Sequence, residues 1–281
     1  MGRIIAIANQ KGGVGKTTTS VNLAASLAAQ NRRVLLVDMD PQGNAGSGLG
    51  IMPSPDEPTI YQVLMDKVSM LQVARDTEVP GLSIVPSNTQ LIGAEVELVS
   101  TLARETHLRR ALEPIKDNYD LIIMDCPPAV GLLTVNALTA ANGVIIPLQC
   151  EYYALEGLSH LLETIRLVQG SLNAGLEIDG ILLTMFDARN NLCHQVVTEA
   201  RQHFPNVVFN TIIPRNVRLS EAPSHAKPVI LYDVVSRGAQ AYLALAEELQ
   251  VRLGMGEASA EKACVESPGQ MDDPQDVVVE A

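Results

Sequence analysis

The chain has 281 residues with a formal net charge of −12, and 47% of its residues are hydrophobic, enough to bury a large core in one sizeable α/β domain. No apolar run approaches the roughly 20 residues that span a bilayer, and the N-terminus enters a strand without a signal segment, so we expect a cytoplasmic protein. The excess of acid argues against a nucleic-acid partner unless the basic residues are concentrated on one face.

Short apolar runs alternate along the chain with amphipathic segments of helical period. Because the apolar runs are continuous, they predict strands covered on both faces. The alternation predicts a doubly wound, mostly parallel sheet flanked by helices. The predicted strands are 3–8, 34–38, 82–86, 121–125, 143–147 and 178–184, with a weaker one at 207–213. The predicted helices are 17–30, 106–115, 132–141, 157–169, 191–203 and 237–253, and 43–57, rich in Gly and Pro, predicts a mobile surface loop.

The first predicted strand runs into a glycine-rich turn that ends in a lysine and a threonine at the start of a helix. This order predicts a phosphate-binding loop, because glycines let backbone N–H groups point into one concavity and the helix N-terminus adds its positive dipole end. Lys16 is expected to neutralise the β- and γ-phosphates, and the Thr17 hydroxyl to hold Mg²⁺. The predicted nucleotide-binding residues here are Lys11, Gly12, Gly13, Val14, Gly15, Lys16, Thr17 and Thr18.

The loop departs from the general P-loop pattern at one position and adds a second cation. Gln10 stands where that pattern has glycine, and Lys11 follows it. Two ammonium groups in one small pocket repel each other by roughly 4 kcal/mol at about 4 Å and an effective dielectric near 20. We therefore expect Lys11 and Lys16 to require a polyphosphate between them.

An acid ends one of the predicted strands. Asp125 closes the apolar run LIIMD and is followed by Cys-Pro-Pro, which ends the strand in a turn. A carboxylate in this position can hold Mg²⁺ through its water shell beside a phosphate-binding loop. The alternative is an acid that only caps the next turn. Because the chain also has the glycine-rich loop, we predict that Asp125 holds Mg²⁺.

Two further acids follow the second predicted strand, in the sequence VDMDPQGN. In an extended chain Asp38 and Asp40 point the same way. We assign Asp40 to orienting the attacking water and Asp38 either to a structural role or to contact with Mg²⁺ through water. The alternative for Asp40 is a turn-former before Pro41.

Four segments together carry a family resemblance: KGGVGKTTT, LLVDMDPQGN, IIMDCPP and IPRNVRLSEAPSHAKP. They resemble the ParA/Soj family of deviant Walker A partition ATPases, and the resemblance covers residues 3 to about 253. Members of this family share the departure at Gln10. The resemblance implies a P-loop NTPase fold, ATP and Mg²⁺ as cofactors, and a homodimer that closes face to face around ATP.

The same resemblance implies roles for individual residues. Lys11 is expected to act across the dimer on the partner's phosphates, much as an arginine finger does, while Lys16 acts within its own subunit. Asp40 is implied as the catalytic acid of a slow hydrolysis. Pro214 and Asn216 lie where relatives approach the adenine.

Basic residues gather in a loop-rich stretch that has almost no aromatic side chains. Arg215, Arg218 and Lys227 are therefore expected to contact phosphates of double-stranded DNA without reading its sequence. The resemblance supports this and adds Arg189 and Arg237 as weaker candidates. Solvated surface charge is the alternative for each cation. A dimer doubles the contacts, so ATP would switch DNA binding through dimerisation.

Acidic residues dominate the C-terminus. From Glu257 onward seven acids stand against Lys262, which gives this stretch −6 of the total charge. Its composition is not expected to fold alone, so we divide the chain into an ATPase domain at 1–256 and an acidic tail at 257–281. The resemblance further implies a ParB-type centromere-binding partner, whose basic N-terminal segment activates the ATPase, and association with the nucleoid.

Three alternative functions use related chemistry. A membrane-cycling ATPase of the MinD type needs a basic C-terminal helix, but this chain ends in DDPQDVVVEA, so we expect no membrane partner. An electron-transfer protein of the nitrogenase iron-protein type needs cysteines placed to share a cluster, and Cys126 is poorly placed for that. A ParA-like ATPase that positions another cargo has the same chemistry and stays open. The histidines and cysteines show no metal-binding spacing.

Overall fold

The computed structural model describes residues 2–151 and 154–256, with 154–156 described by their backbone alone. This part of the chain contains a seven-stranded sheet, which confirms the predicted doubly wound architecture. Its strands are β1 (Arg3–Ile7), β2 (Val34–Asp38), β3 (Arg75–Asp76), β4 (Leu82–Val85), β5 (Leu121–Asp125), β6 (Gly143–Gln149) and β7 (Glu177–Thr184). Their spatial order is β3-β4-β2-β5-β1-β6-β7, and all neighbours pair in parallel except the edge strand β3.

Helices cover both faces of this sheet. They are α1 (Lys16–Ala29), α2 (Asn44–Gly48), α3 (Ile60–Leu64), α4 (Met70–Val73), α5 (Leu91–Glu97), α6 (His107–Leu112), α7 (Leu132–Ala140), α8 (Ala154–Ser171), α9 (Asn191–His203), α10 (Val217–Glu221), α11 (Val229–Tyr232) and α12 (Arg237–Arg252). Helices α3 to α9 pack on one face, and α1, α2 and α10 to α12 pack on the other. In β1, Ile4 and Ala6 face the first layer while Ile5 and Ile7 face the second, which explains the continuous apolar run. None of the described helices has both the length and the apolar character required to cross a bilayer.

Two sequence-based predictions are wrong. The segment 207–213 is not a strand: it makes a single bridge, from Val208 to Ile181, because the backbone N–H groups of Asn210 and Thr211 donate to Glu248 instead of to a neighbouring strand. The loop at 43–57 begins with helix α2, which the sequence did not predict. The acidic tail predicted at 257–281 lies outside the described residues.

The carboxyl ends of three central strands meet at one edge. Asp125 at the end of β5 is in register with Ile7 of β1 on one side and with Asp38 of β2 on the other. The loops after β1, β2 and β5 therefore meet, as the topology of an open parallel sheet predicts. This edge carries the candidate site.

Candidate functional site

The glycine-rich loop joins β1 to α1 in the conformation that the sequence predicts. Gly13 and Gly15 have φ angles of 76° and 90°, a left-handed region that glycine adopts without steric cost. Val14 is buried, and its carbonyl accepts a 2.9 Å hydrogen bond from the Thr184 hydroxyl at the end of β7. The loop is thus fixed to the sheet at its centre while its glycines face outward.

The Lys16 ammonium is already aimed at this loop. The residue is 7% exposed, and its Nζ donates to the backbone carbonyl of Lys11 at 3.0 Å. Burial lowers the pKa of Lys16, and the nearby charges of Asp125 and Asp40 oppose that shift. A desolvated cation without a direct anionic partner favours an incoming phosphate.

Lys11 is directed elsewhere. Its Nζ lies 2.8 Å from the Glu151 carboxylate, just after β6, and its side chain is 40% exposed. The expected repulsion between two converging ammonium groups therefore does not arise within one chain. To contact a phosphate, Lys11 must break its ion pair with Glu151 and pair with the phosphate instead.

The Asp125 carboxylate fits a divalent cation. It is fully buried, its Oδ1 accepts a 2.8 Å hydrogen bond from the Ser20 hydroxyl, and its Oδ2 finds no partner among the described residues. Burial raises the pKa of Asp125 to about 6, and the hydroxyls of Thr17 and Ser20 oppose the rise, which places both close to this acid. An orphaned carboxylate oxygen beside a threonine hydroxyl suits Mg²⁺, a cation that takes oxygen ligands and keeps several waters.

No group of three or more His, Cys, Asp or Glu side chains within 2–151 and 157–256 is arranged to hold a metal by itself. A cation at Asp125 and Thr17 would therefore take its remaining ligands from water and from phosphate oxygens, the usual arrangement for Mg²⁺ beside a nucleotide.

The two acids after β2 have different environments. Asp38 is fully buried and accepts from the backbone N–H groups of Asp40 (3.0 Å), Ala45 (3.0 Å) and Gly46 (3.2 Å). Burial, with the adjacent Asp125 charge, raises its pKa. Because both of its oxygens accept backbone N–H groups, the geometry favours the structural role that was predicted for Asp38, and its contact with Mg²⁺ through water stays a prediction.

Asp40 forms a turn and also lies at the candidate site. Its Oδ1 accepts from the Gln42 backbone N–H at 2.9 Å, which forms the turn beyond Pro41. The residue is 8% exposed, and its charge acts on both Lys16 and Asp125, so it lies at the same site. Its catalytic role remains a prediction.

A cavity of about 370 Å³ adjoins the loop. It contains the predicted adenine neighbours Pro214 and Asn216 beside Gly15 and Thr18. The Asn216 side-chain oxygen caps α10 by accepting from the Arg218 N–H at 2.9 Å. The sequence did not indicate the remaining lining residues, which come from distant elements: Thr184, Met185, Ile213, Arg215, Leu219, Ser220, Pro223 and Tyr242.

The predicted DNA-binding cations fall into two groups. A neighbouring cleft of about 750 Å³, the arginine cleft, is lined by Arg189, Arg215 and Arg237 and shares Pro214 to Asn216 with the first cavity. Arg189 pairs there with Asp187 at 2.8 Å.

The other two cations lie outside this cleft. Arg218 pairs with Glu221 at 2.8 Å and Asp233 at 3.2 Å, and Lys227 lies 3.7 Å from Glu78. The two weaker candidates, Arg189 and Arg237, thus line the same cleft as Arg215. The stronger candidates Arg218 and Lys227 do not line it.

Sequence reasoning also missed two residues beside the phosphate-binding loop, Ser20 and Glu151. Ser20 follows Thr17 by three positions, so it lies on the same helix face, and that spacing could have indicated it. Glu151 has no comparable signal, because its pairing with Lys11 depends on the placement of β6 beside β1.

Known proteins resemble this chain along most of its length. A family model described as an AAA domain matches residues 2–178. The chain is 61% identical over 249 residues to the sporulation initiation inhibitor protein Soj of Bacillus subtilis (strain 168), covering 89% of this chain and 98% of that protein. It is 60% identical over 252 residues to the chromosome partitioning protein ParA of Myxococcus xanthus (strain DK1622), covering 90% and 89%.

Among solved structures, cobyrinic acid a,c-diamide synthase from Mycobacterium smegmatis with bound ADP and magnesium is similar, with a TM-score of 0.80 and 38% identity over 91% of this chain and 97% of that one. The sequence identity to Soj and ParA is much higher. With the loop, the acids and the sheet order in agreement, the chain belongs to the ParA/Soj family of deviant Walker A ATPases.

Proposed function

We propose that this protein is a DNA-segregation ATPase whose nucleotide state controls its attachment to DNA. It binds Mg²⁺ and ATP, forms a homodimer around the nucleotide and then holds double-stranded DNA without sequence preference. A ParB-type partner stimulates hydrolysis and so releases the DNA. The observation that carries this proposal is the buried Lys16 ammonium beside the orphaned Asp125 oxygen, at the end of the central strands.

Each group at this site has a separate role in binding or hydrolysing the nucleotide. The backbone N–H groups of residues 12–18 bind the phosphates, and Lys16 neutralises them. Thr17 and Asp125 would hold Mg²⁺, which when bound would supply positive charge to neutralise the phosphates. Asp40 orients the attacking water from the loop after β2. The cavity at Pro214 and Asn216 holds the base.

Dimerisation uses Lys11. Its ion pair with Glu151 is half-exposed, so breaking it costs little, roughly 0–1 kcal/mol. A partner's triphosphate offers a stronger, multiply charged acceptor. The exchange of Glu151 for this phosphate links ATP binding to the closure of two subunits.

The arginine cleft is the proposed DNA contact. Arg215 lines both this cleft and the base cavity, so nucleotide and DNA contacts are adjacent. Few phosphate contacts per subunit give weak binding at physiological salt, and two subunits acting together gain by effective concentration. Such a dimer would associate with the nucleoid in the cell.

A gel-shift assay with random-sequence duplex DNA tests the proposal. The wild type is expected to retain DNA only with Mg²⁺ and ATP. Lys16→Ala should lose this retention, whereas Asp40→Ala should keep it while hydrolysis falls. Retention of DNA without nucleotide would contradict the switch, and so would a monomer at saturating Mg²⁺ and ATP in light scattering of Asp40→Ala.

A further inference from the structure

Helix α5 carries apolar side chains on two opposite sides. Leu91, Ala94 and Leu98 are fully buried in the core, which is the side that the helix needs for folding. The outer side is also apolar, continues through the 3-10 turn Leu98–Ser100, and has no role in the core. Its members, which we call the α5 ridge, are Ile92 (58% exposed), Val96 (73%), Val99 (60%) and Leu102 (94%).

Contiguous exposed apolar side chains of this kind mark interaction sites. Ile92, Val96 and Val99 follow the i, i+4, i+7 spacing of one helix face, so they form a stripe and are not scattered singly. A stripe of this form accepts the apolar face of another helical segment.

The α5 ridge lies near the proposed nucleotide site. Helix α5 follows the carboxyl end of β4, at the edge of the sheet where the loop after β1 also lies. The Glu95 carboxylate packs against Gly131, where an added Cβ would collide with it. Gly131 caps α7 at the end of the turn that Asp125 begins. Helix α5 therefore contacts, through Glu95, the turn that follows Asp125.

The surface beside the α5 ridge is acidic, which favours a basic binding partner. Glu95 and Glu97 have no Lys or Arg ion pair within the described residues, and Glu97 accepts only the Tyr61 hydroxyl, at 2.8 Å. Arg104, whose guanidinium donates to the Val99 carbonyl at 2.9 Å, also pairs with Glu105 at 3.0 Å, so the net charge of this surface stays negative. A cationic segment would complement this surface.

We infer that the α5 ridge is the docking site for a basic amphipathic segment of the partner that stimulates hydrolysis, an inference that rests on the proposed function. Apolar side chains of that segment would cover Val96 and Leu102, and its cations would pair with Glu95 and Glu97. A second copy of this chain fits less well, because a two-fold contact between two such surfaces would bring like charges together. An anionic membrane would be repelled by the same acids.

Binding of a fluorescein-labelled synthetic peptide, covering the basic N-terminal segment of the ParB-type protein from the same genome, tests this inference. Val96→Ser and Leu102→Ser should each weaken peptide binding by about tenfold in fluorescence anisotropy, and should lose most of the peptide-stimulated ATP turnover. Both side chains are exposed, so the fold is retained. Basal turnover and ATP-dependent DNA retention should be unchanged. The matched control is Val251→Ser on α12, where the side chain is 80% exposed.

A charge reversal, Glu97→Lys, should also weaken peptide binding, and by more at low salt than at high salt. The inference is overturned if the wild type does not bind the peptide, if the ridge variants bind it as the wild type does, or if they lose dimerisation or sediment less with anionic vesicles instead. These results leave the gel-shift test of the proposed function unaffected. Conversely, the protein could fail the gel-shift test and still bind the peptide in a way that depends on the α5 ridge. That result would support the docking site and contradict the proposed function.

Discussion

Lys11 and Glu151 form a 2.8 Å ion pair that connects the phosphate-binding loop to the segment after β6. In a single chain this pair holds the Lys11 ammonium away from the one on Lys16, whose Nζ bonds instead to the Lys11 backbone carbonyl. The pair therefore competes with any phosphate that a second subunit presents to Lys11.

Removing this competitor should favour the dimer. In an Asp40→Ala background, Glu151→Gln is expected to strengthen ATP-dependent dimerisation up to about fivefold, the range set by a half-exposed ion pair. Analytical ultracentrifugation over a concentration series measures the effect. Glu113→Gln, which breaks the ion pair of an exposed glutamate with Lys116 away from the phosphate-binding loop, is the control and should leave dimerisation unchanged. Weaker dimerisation of Glu151→Gln would show that the glutamate supports closure.

Ser20 should stabilise the fold through Asp125. Ser20→Ala removes the hydrogen bond to Oδ1 and leaves a fully buried carboxylate without that donor, so we expect a loss of about 1–3 kcal/mol of unfolding free energy. Urea denaturation of the nucleotide-free protein measures it.

The same helix provides a matched control for that prediction. Ser26 is equally buried, but its hydroxyl has no hydrogen-bond partner in the described part of the chain. Ser26→Ala should therefore cost little or even stabilise the fold. Equal losses for the two variants would refute the role of the Ser20 bond.

Glu248 should make stability depend on acid pH. Burial would raise its pKa, but the N–H groups of Asn210 and Thr211 and the Arg252 guanidinium outweigh this, so the pKa lies below its usual value. The carboxylate thus stabilises the fold above about pH 4.3, the unfolded pKa, and loses this contribution as the pH falls through the lower folded pKa.

Glu248→Gln is expected to cost about 1–3 kcal/mol at pH 7, and the difference from the wild type should shrink below about pH 4. Denaturation curves from pH 3 to 8 measure it. Glu247→Gln, at the exposed neighbouring position, is the control. A difference that stays constant with pH would indicate a packing effect and not a charge effect.

The arginine cleft predicts which cations contact DNA. Arg215→Ala and Arg237→Ala should each weaken ATP-dependent duplex binding and lower the slope of log affinity against log salt by about 1 per lost phosphate contact. Lys227→Ala should leave the slope unchanged, since Lys227 lies outside the cleft. Anisotropy titrations at several NaCl concentrations distinguish the three variants. If Lys227→Ala lowered the salt slope as much as the other two variants, the DNA contact would extend beyond the arginine cleft.

Much of the fold could be predicted because its signals are local. Runs such as 34–37 and 121–124 are apolar at every position because both faces of the sheet are covered, and the glycines of the loop mark its turn directly. Helices α3, α4 and α5 were missed because each is short and its periodicity covers fewer than three turns.

Other features depend on contacts between distant parts of the chain, which no sequence pattern shows. The segment 207–213 has strand-like composition, but Glu248 on α12 takes the N–H groups that a strand would use. In an extended chain Asp38 and Asp40 point the same way, so the sequence does not distinguish their roles. The position of α2 does, because its first backbone N–H groups donate to Asp38.

That role of Asp38 has a consequence for timing. Its buried carboxylate accepts from the N-terminal turn of α2 and from the Asp40 backbone, so the backbone of the acid proposed to direct water is tied to the start of α2. If hydrolysis is slow, as the family resemblance implies, this fixed turn points to a step outside the loop as the one that sets the rate, such as the proposed encounter of two subunits.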